Sequence, residues 1–207
     1  MENRFEQDNG SRCLMSVDGT DFKINHPTAA GDAIRNYYSY KLNHSALRYE
    51  VGVCIQTGRI VWSNGPFKPG LLNDISIFRD SLVLELEPGE KVEADRGYRG
   101  EPQSVEDPDY CEPPTPAMKE MKTNVRARHE GINARIKSFC AMRQAWRHNH
   151  GFHGIAFRAI IILINLSFDF QAEPPQVFYQ TRPIPREDGH ENTAWDDMVD
   201  AFVNREY

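Results

Sequence analysis

The chain has 207 residues and a formal net charge of −6, a length that suits one domain and a charge that does not advertise a nucleic-acid binder. About 40% of the residues are apolar, enough for a buried core. Met1 to Gly10 is polar and charged and lacks the apolar stretch of a secretory signal. The longest greasy run, Ala156 to Phe170, carries Arg158, Asn165 and Asp169 and is shorter than the roughly 20 residues a bilayer needs, so a core helix is expected and no membrane partner. Cys13, Cys54, Cys111 and Cys140 are scattered without CxxC spacing, as in reduced intracellular thiols.

Cys13 to Asp18 reads as a short strand buried on both faces and broken by Asp18-Gly19-Thr20. Asn25 to Asn36 reads as a loop, followed by an aromatic, basic patch, Tyr37 to Lys41. Leu47, Tyr49, Val51, Val53 and Ile55 alternate at period two, the mark of a half-buried strand. Thr57-Gly58 turns the chain into a return strand from Ile60 to Trp62. Gly65-Pro66 and Pro69-Gly70 punctuate a loop. Asn73 or Asp74 caps a helix through Leu84, with Ile75, Phe78 and Leu82 on one face.

Lys91 to Asp95 is a further strand, closed by a turn at Arg96-Gly97-Tyr98. Glu101 to Pro116 is a Pro-rich excursion with a short strand expected near Tyr110-Cys111. A long helix from Thr123 or Asn124 to Phe139 and a second from His153 to Phe168 follow. Residues 1–12 form an N-terminal extension, 13–170 the domain, and 171–207 a Pro-rich, then acidic tail. Three antiparallel strands, a helix, a strand and then helices is the order of a ribonuclease H-like α/β fold, a mixed central sheet with flanking helices.

Charge is unevenly distributed. Between Met118 and Phe170 the cations include Lys119, Lys122, Arg126, Arg128, Arg135 and Lys137 against Glu120, Glu130 and Asp169, whereas acids dominate after Gln171. Two aspartates, Asp18 and Asp95, end apparent strands, where neighbouring strands can present side chains into one cleft. Glu130 lies on a helix that could cover that cleft. Arg126, Glu130 and Lys137 are offset by four and seven residues, about 40° and −20° around a helix axis, so they share one face. Three carboxylates suit Mg²⁺ or Mn²⁺, and cations on the same stripe suit backbone phosphates. The bland reading is a turn aspartate, a solvated glutamate and a surface ion pair. Asp74 is expected to be a helix cap, and Glu93 at best an accessory carboxylate. Cys140, His148, His150 and His153 match no zinc spacing; His153 could instead face the active site or a phosphate. Trp62, Trp146 and the tyrosines could stack on bases, but core packing is the default.

On these residues the chain resembles DDE transposases of the insertion-sequence and Harbinger-type groups. Ser16-Val-Asp18-Gly-Thr20 resembles the first-aspartate motif and Ala94-Asp95-Arg96-Gly97-Tyr98 the second, D-x-G-Y. Arg126-Ala-Arg-His-Glu130 with Lys137 is similar to the Y-x2-R-x3-E-x6-K signature, with Thr123 at the tyrosine position. Asp95 and Glu130 are 35 positions apart, which fits the family spacing. Weaker matches are Tyr38-Ser-Tyr-Lys41, Gly65-Pro66 through Asn73-Asp74, and Arg147-His148 with the helix after it.

The resemblance implies that Asp18, Asp95 and Glu130 are catalytic and hold two Mg²⁺ or Mn²⁺ ions. Arg126, Lys137, Lys41 and Arg128 would contact DNA. It implies phosphodiester hydrolysis and strand transfer on transposon ends and target DNA, in a nucleus if the source is eukaryotic or a cytoplasm if bacterial. The family's N-terminal DNA-binding segment is not evident, so end recognition is expected to come from another chain or to be lost; a homodimer is equally open. The alternatives are a domesticated, non-catalytic DNA- or protein-binding module and an RNA-cleaving nuclease of the same fold.

Overall fold

Cys13–Lys23 forms one strand, β1, in the computed structural model, which describes residues 13–27, 32–106, 116–170 and 177. The N-terminal extension, the strand expected near Tyr110-Cys111, and the tail apart from Val177 lie outside the described residues. β1 does not stop at Asp18, because Met15 to Lys23 pairs antiparallel with Ala46 to Cys54 without interruption. The ladder holds the Asp-Gly pair extended, where the same dipeptide in a free chain favours a turn.

β3 (His44–Cys54) is the centre of the sheet. On one edge it pairs with β1; on the other it pairs with β2 (Tyr38–Ser39) and β4 (Ile60–Phe67), all antiparallel. β5 (Lys91–Ala94) then lies parallel to β1, and β6 (Val105–Glu106) parallel to β5. The result is a mixed six-stranded sheet flanked by helices. Gly65-Pro66, expected in a loop, lies within β4 on a strand paired only to β3; proline lacks the N–H that a strand paired on both edges would require.

The half-buried reading of β3 is corrected: both of its faces are covered. Leu47, Tyr49, Val51 and Val53 pack with Phe22 against Phe157, Ile160, Ile161 and Ile164. The opposite face places Met15 and Val17 with Phe78, Leu82, Val92, Ala94 and Tyr98. The polar positions of the alternation, Arg48 and Glu50, therefore sit inside the protein rather than in water.

The helices differ from expectation at their ends. Asp32–Tyr37, read as loop, is a short helix, α1. α2 (Asp74–Asp80) is capped by Asn73, whose side chain accepts from Ser76 N at 3.0 Å; a 3₁₀ turn, Leu82–Glu85, follows. Asp74 is thus inside the helix rather than its cap. α3 (Pro116–Ser138) begins seven residues before Thr123, on a proline whose fixed φ suits a first helical position. A short α4 (Cys140–Arg143) was not expected.

α5 (His150–Phe170) has 21 residues and by length and composition alone could cross a membrane, which corrects the reading that the run is too short. Its Phe157, Ile160, Ile161, Ile164 and Phe168 face packs on the sheet, as a core helix requires. His153 is fully buried and its Nδ1 meets the Tyr49 hydroxyl at 2.8 Å, so it faces neither the candidate site nor a phosphate. Trp146 packs against the same core.

Candidate active site

The parallel pairing of β1 and β5 fixes the site. Ser16 stands beside Glu93 and Val17 beside Ala94, so the next position brings Asp18 beside Asp95 where β5 ends. Asp95 starts a 3₁₀ turn, Arg96–Tyr98, and its Oδ1 accepts from Gly97 N at 2.7 Å. Asp18 Oδ2 accepts from Asn133 Nδ2 of α3 at 3.2 Å. Burial raises the Asp18 carboxyl to about 6; Lys41 opposes the rise, and the charges of Asp95 and Asp74 add to it. A carboxyl discouraged from ionising chiefly by burial, with like charges beside it, is a group whose charged form a bound cation would favour.

Asp74 was not expected here. A Cβ on Gly19 would collide with its carboxylate, and a Cβ on Gly97 would lie 3.2 Å from its Oδ2 and 2.9 Å from Asp95 Oδ1. The glycines that follow Asp18 and Asp95 in the sequence are the space Asp74 occupies. Arg48 Nη1 donates to Asp74 Oδ1 at 3.0 Å, while its Nε and Nη2 hold Asp21 at 2.7 and 3.0 Å. Ser39 Oγ donates to Asp21 at 2.6 Å. Burial raises the Asp74 carboxyl above its usual range; Arg48 pulls it down, and Asp95 and Asp21 push it up. The available signals were Gly19 and Gly97 themselves, since glycine beside a strand-end carboxylate marks close approach, and a charged Arg48 and Glu50 inside an apolar alternation.

α3 lies across the other face of β1 and β5. Arg126 Nε is 3.7 Å from Glu93 Oε1, and Lys122 Nζ is 3.5 Å from the same oxygen. His129 is buried, with Nδ1 at 2.8 Å from Ser16 Oγ, and burial, with Lys41 adding, lowers it to about 4, so it is neutral at pH 7. Glu130 is exposed, one turn from Arg126 in one direction and from Asn133 in the other. Lys137 lies over the Phe22 ring at 5.7 Å. Burial and Lys41 lower its pKa, while Asp18 and Asp21 raise it. Lys41 is exposed in the turn before β3 and acts electrostatically on Asp18, Asp74, His129 and Lys137.

Arg128 faces elsewhere: its Nη1 donates to the carbonyls of Ile55 and Gln56 at 2.8 and 2.7 Å, tying α3 to the β3–β4 turn. Asp18 and Asp95 are therefore together, with Lys41 and Lys137 at the border, whereas Glu130 stands on the covering helix and Arg128 is turned away. Among the described residues, no three His, Cys, Asp or Glu side chains are gathered closely enough to hold a metal ion.

Glu50 lies opposite Gly19 in the β1–β3 ladder and is 1% exposed. Its Oε2 accepts from Trp62 Nε1 at 2.9 Å. Burial raises it from the ordinary 4.5 to about 7, the Trp62 hydrogen bond opposing and Asp74 adding. Because the folded pKa is the higher one, the folded chain binds the extra proton and stability falls as pH rises from about 4.5 to about 7. Glu50→Gln keeps the indole partner and removes the charge. Melting in EDTA is expected to show the variant more stable at pH 8, by on the order of 2–3 kcal/mol, with the two proteins converging below pH 4.5. Parallel melting curves from pH 5 to pH 8 would count against this account.

A family model described as DDE superfamily endonuclease matches residues 17–165, from β1 to the last turns of α5. No curated protein and no solved structure matches the chain.

Proposed function

Because the chain belongs to the DDE superfamily endonuclease family, with the transposase-related role that membership carries, we propose that it hydrolyses phosphodiester bonds in DNA and transfers the cut strand. The observation that carries this reading is the pair Asp18 and Asp95, brought side by side where β5 ends along the parallel strand β1. In this proposal Asp18, Asp95 and Glu130 hold two Mg²⁺ or Mn²⁺ ions. Such ions activate a water or 3′-hydroxyl and stabilise the leaving oxygen. Hard carboxylate oxygens are the donors these ions prefer, and the burial that lifts Asp18, with the charges of Asp95 and Asp74 adding to it, is a cost that a cation would offset. Glu130 is exposed on α3, one turn before Asn133, whose side chain meets Asp18. The strand order, three antiparallel strands followed by two parallel ones, supports a ribonuclease H-like fold.

Lys41, Arg126 and Lys137 are the cations proposed to meet DNA phosphates. Arg128, engaged by two carbonyls, is the weakest of the four candidates. Transposon ends and target DNA are the proposed partners, met in the nucleus if the source is eukaryotic or in the cytoplasm if it is bacterial, with a second copy of the chain and a separate DNA-binding chain as further proposed partners. A second reading, a non-catalytic DNA-binding module, is favoured by the one observation that Glu130 is not drawn in to the two aspartates.

One assay separates them. Purified protein with duplex DNA and Mg²⁺ or Mn²⁺ is expected to nick the DNA, and Asp18→Ala is expected not to. DNA binding without metal-stimulated nicking by the wild type selects the second reading, and preferential cleavage of an RNA–DNA hybrid moves the substrate to RNA. In the same preparations Arg126→Met and Lys137→Met should each reduce the slope of log affinity against log salt by about one; an unchanged slope removes that residue from the phosphate contacts.

A further inference from the structure

We propose that the outer face of α5 is an interface on which a second copy of this chain docks, the two helices antiparallel; this is independent of the nuclease reading. Ten large apolar side chains are exposed among the described residues, and six of them lie on this one helix: Phe152, Ile155, Ile162, Leu163, Leu166 and Phe170, between 47% and 86% exposed. The sheet already occupies the other side of α5 through Phe157, Ile160, Ile161 and Ile164. The helix is thus apolar on both sides, where a surface helix of a monomer is polar outward. At roughly 200 Å² per large apolar side chain, those fractions leave on the order of 700 Å² in water. That exceeds the roughly 300–600 Å² of the largest apolar patch on a typical monomer and approaches the roughly 800 Å² that each partner buries in a stable complex.

The pattern along the face says what fits it. Phe152, Ile155, Ala159, Ile162 and Leu166 recur at alternating steps of three and four residues, the seam by which one helix packs along another. Only two charged residues stand on the exposed stripe, Arg158 and Asp169. They are of opposite sign and eleven residues apart, about 20° around the axis and about 16 Å along it, with Ile162, Leu163 and Leu166 between them. Such a stripe complements itself when reversed. In an antiparallel pair Arg158 of each copy meets Asp169 of the other, and the apolar side chains between them meet their own counterparts across a two-fold axis. A parallel pair would set like charges against each other. Asp169 pairs with Arg59 at the surface, an exposed contact of little worth on a carboxylate whose two oxygens can accept from a second cation.

The test is sedimentation equilibrium of the full chain across the micromolar range. The wild type is expected to exchange between monomer and dimer, and Ile162→Glu to self-associate about 100-fold more weakly. In dilute solution that variant should melt no lower than the wild type, because Ile162 is exposed in the single chain. Arg158→Asp and Asp169→Arg are each expected to dimerise more weakly than the wild type. An equimolar mixture of the two should recover the dimer, since every charged contact across the antiparallel axis again joins opposite signs. A wild type that stays monomeric overturns the proposal: crosslinking of α5 to residues 178–207 of the same chain then gives the face to the tail, and sedimentation with phosphatidylserine vesicles gives it to a lipid surface. A dimer that Ile162→Glu leaves intact overturns it as well, and so does a mixture of the charge variants no tighter than either alone.

Discussion

Asp95→Asn is expected to lower metal-dependent DNA cleavage by about 10³-fold or more, a loss of roughly 4 kcal/mol of transition-state stabilisation, while the folded protein becomes no less stable. The two effects separate because of what Asp95 does in the fold. Its Oδ1 accepts from Gly97 N, and an amide oxygen can do the same, so the 3₁₀ turn Arg96–Tyr98 keeps its cap. What is lost is one negative charge from a group that includes Asp18 and Asp74, and removing a like charge from such a group is favourable to folding. Asp95→Ala also removes the cap, which costs about 1 kcal/mol, so the asparagine variant is the cleaner of the two. Cleavage by Asp95→Asn at the wild-type rate, with melting also unchanged, would remove Asp95 from the chemistry.

Asp95 is visible in the sequence for a local reason. Asp18 and Asp95 each end an apparent strand and each precede or nearly precede a glycine, so a one-dimensional pattern shows them. The parallel register that makes them neighbours is a long-range fact, but strand order alone was enough to suggest it. The stripe of Arg126, Glu130 and Lys137 was legible from helical periodicity, and α3 does carry it. Helix geometry could not say what each member would meet: Arg126 found Glu93, and Lys137 found the Phe22 ring.

Other features had no local signal. Asp74 next to Asn73 looks like a cap because either residue can serve, and only the three-dimensional entry of the chain decides that Asn73 does. Arg48 and Glu50 occupy the polar phase of an alternating strand, which in a sheet with one wet face would point to solvent. They are inside because α2 and the turn after it cover that face. α1 and α4, of six and four residues, are too short to show a helical period. The early start of α3 was hidden by a Pro-rich approach that reads as loop.

Arg48→Met tests whether this hidden layer matters, and it is expected to destabilise the protein by about 3–5 kcal/mol, measured by urea unfolding at pH 7. Arg48 is largely enclosed, with 15% of its side chain exposed, against an Asp21 that is 1% exposed. Burial alone would lower the arginine's pKa, but the Asp21 hydrogen bonds and the Asp74 charge outweigh it and raise the pKa above the usual value. Methionine fills much of the same volume, so packing is largely retained; what remains is a buried Asp21 that keeps the Ser39 hydroxyl as a donor and an Asp74 no longer held at Oδ1 by Arg48. Truncating one partner of a buried pair leaves the other charge uncompensated, which is why the cost exceeds the net worth of the pair. The double variant Arg48→Met with Asp21→Asn should recover most of the loss, because the stranded charge is gone. Little recovery would mean that Arg48 supports the strand chiefly through its aliphatic stem and that Asp74 is oriented by something else.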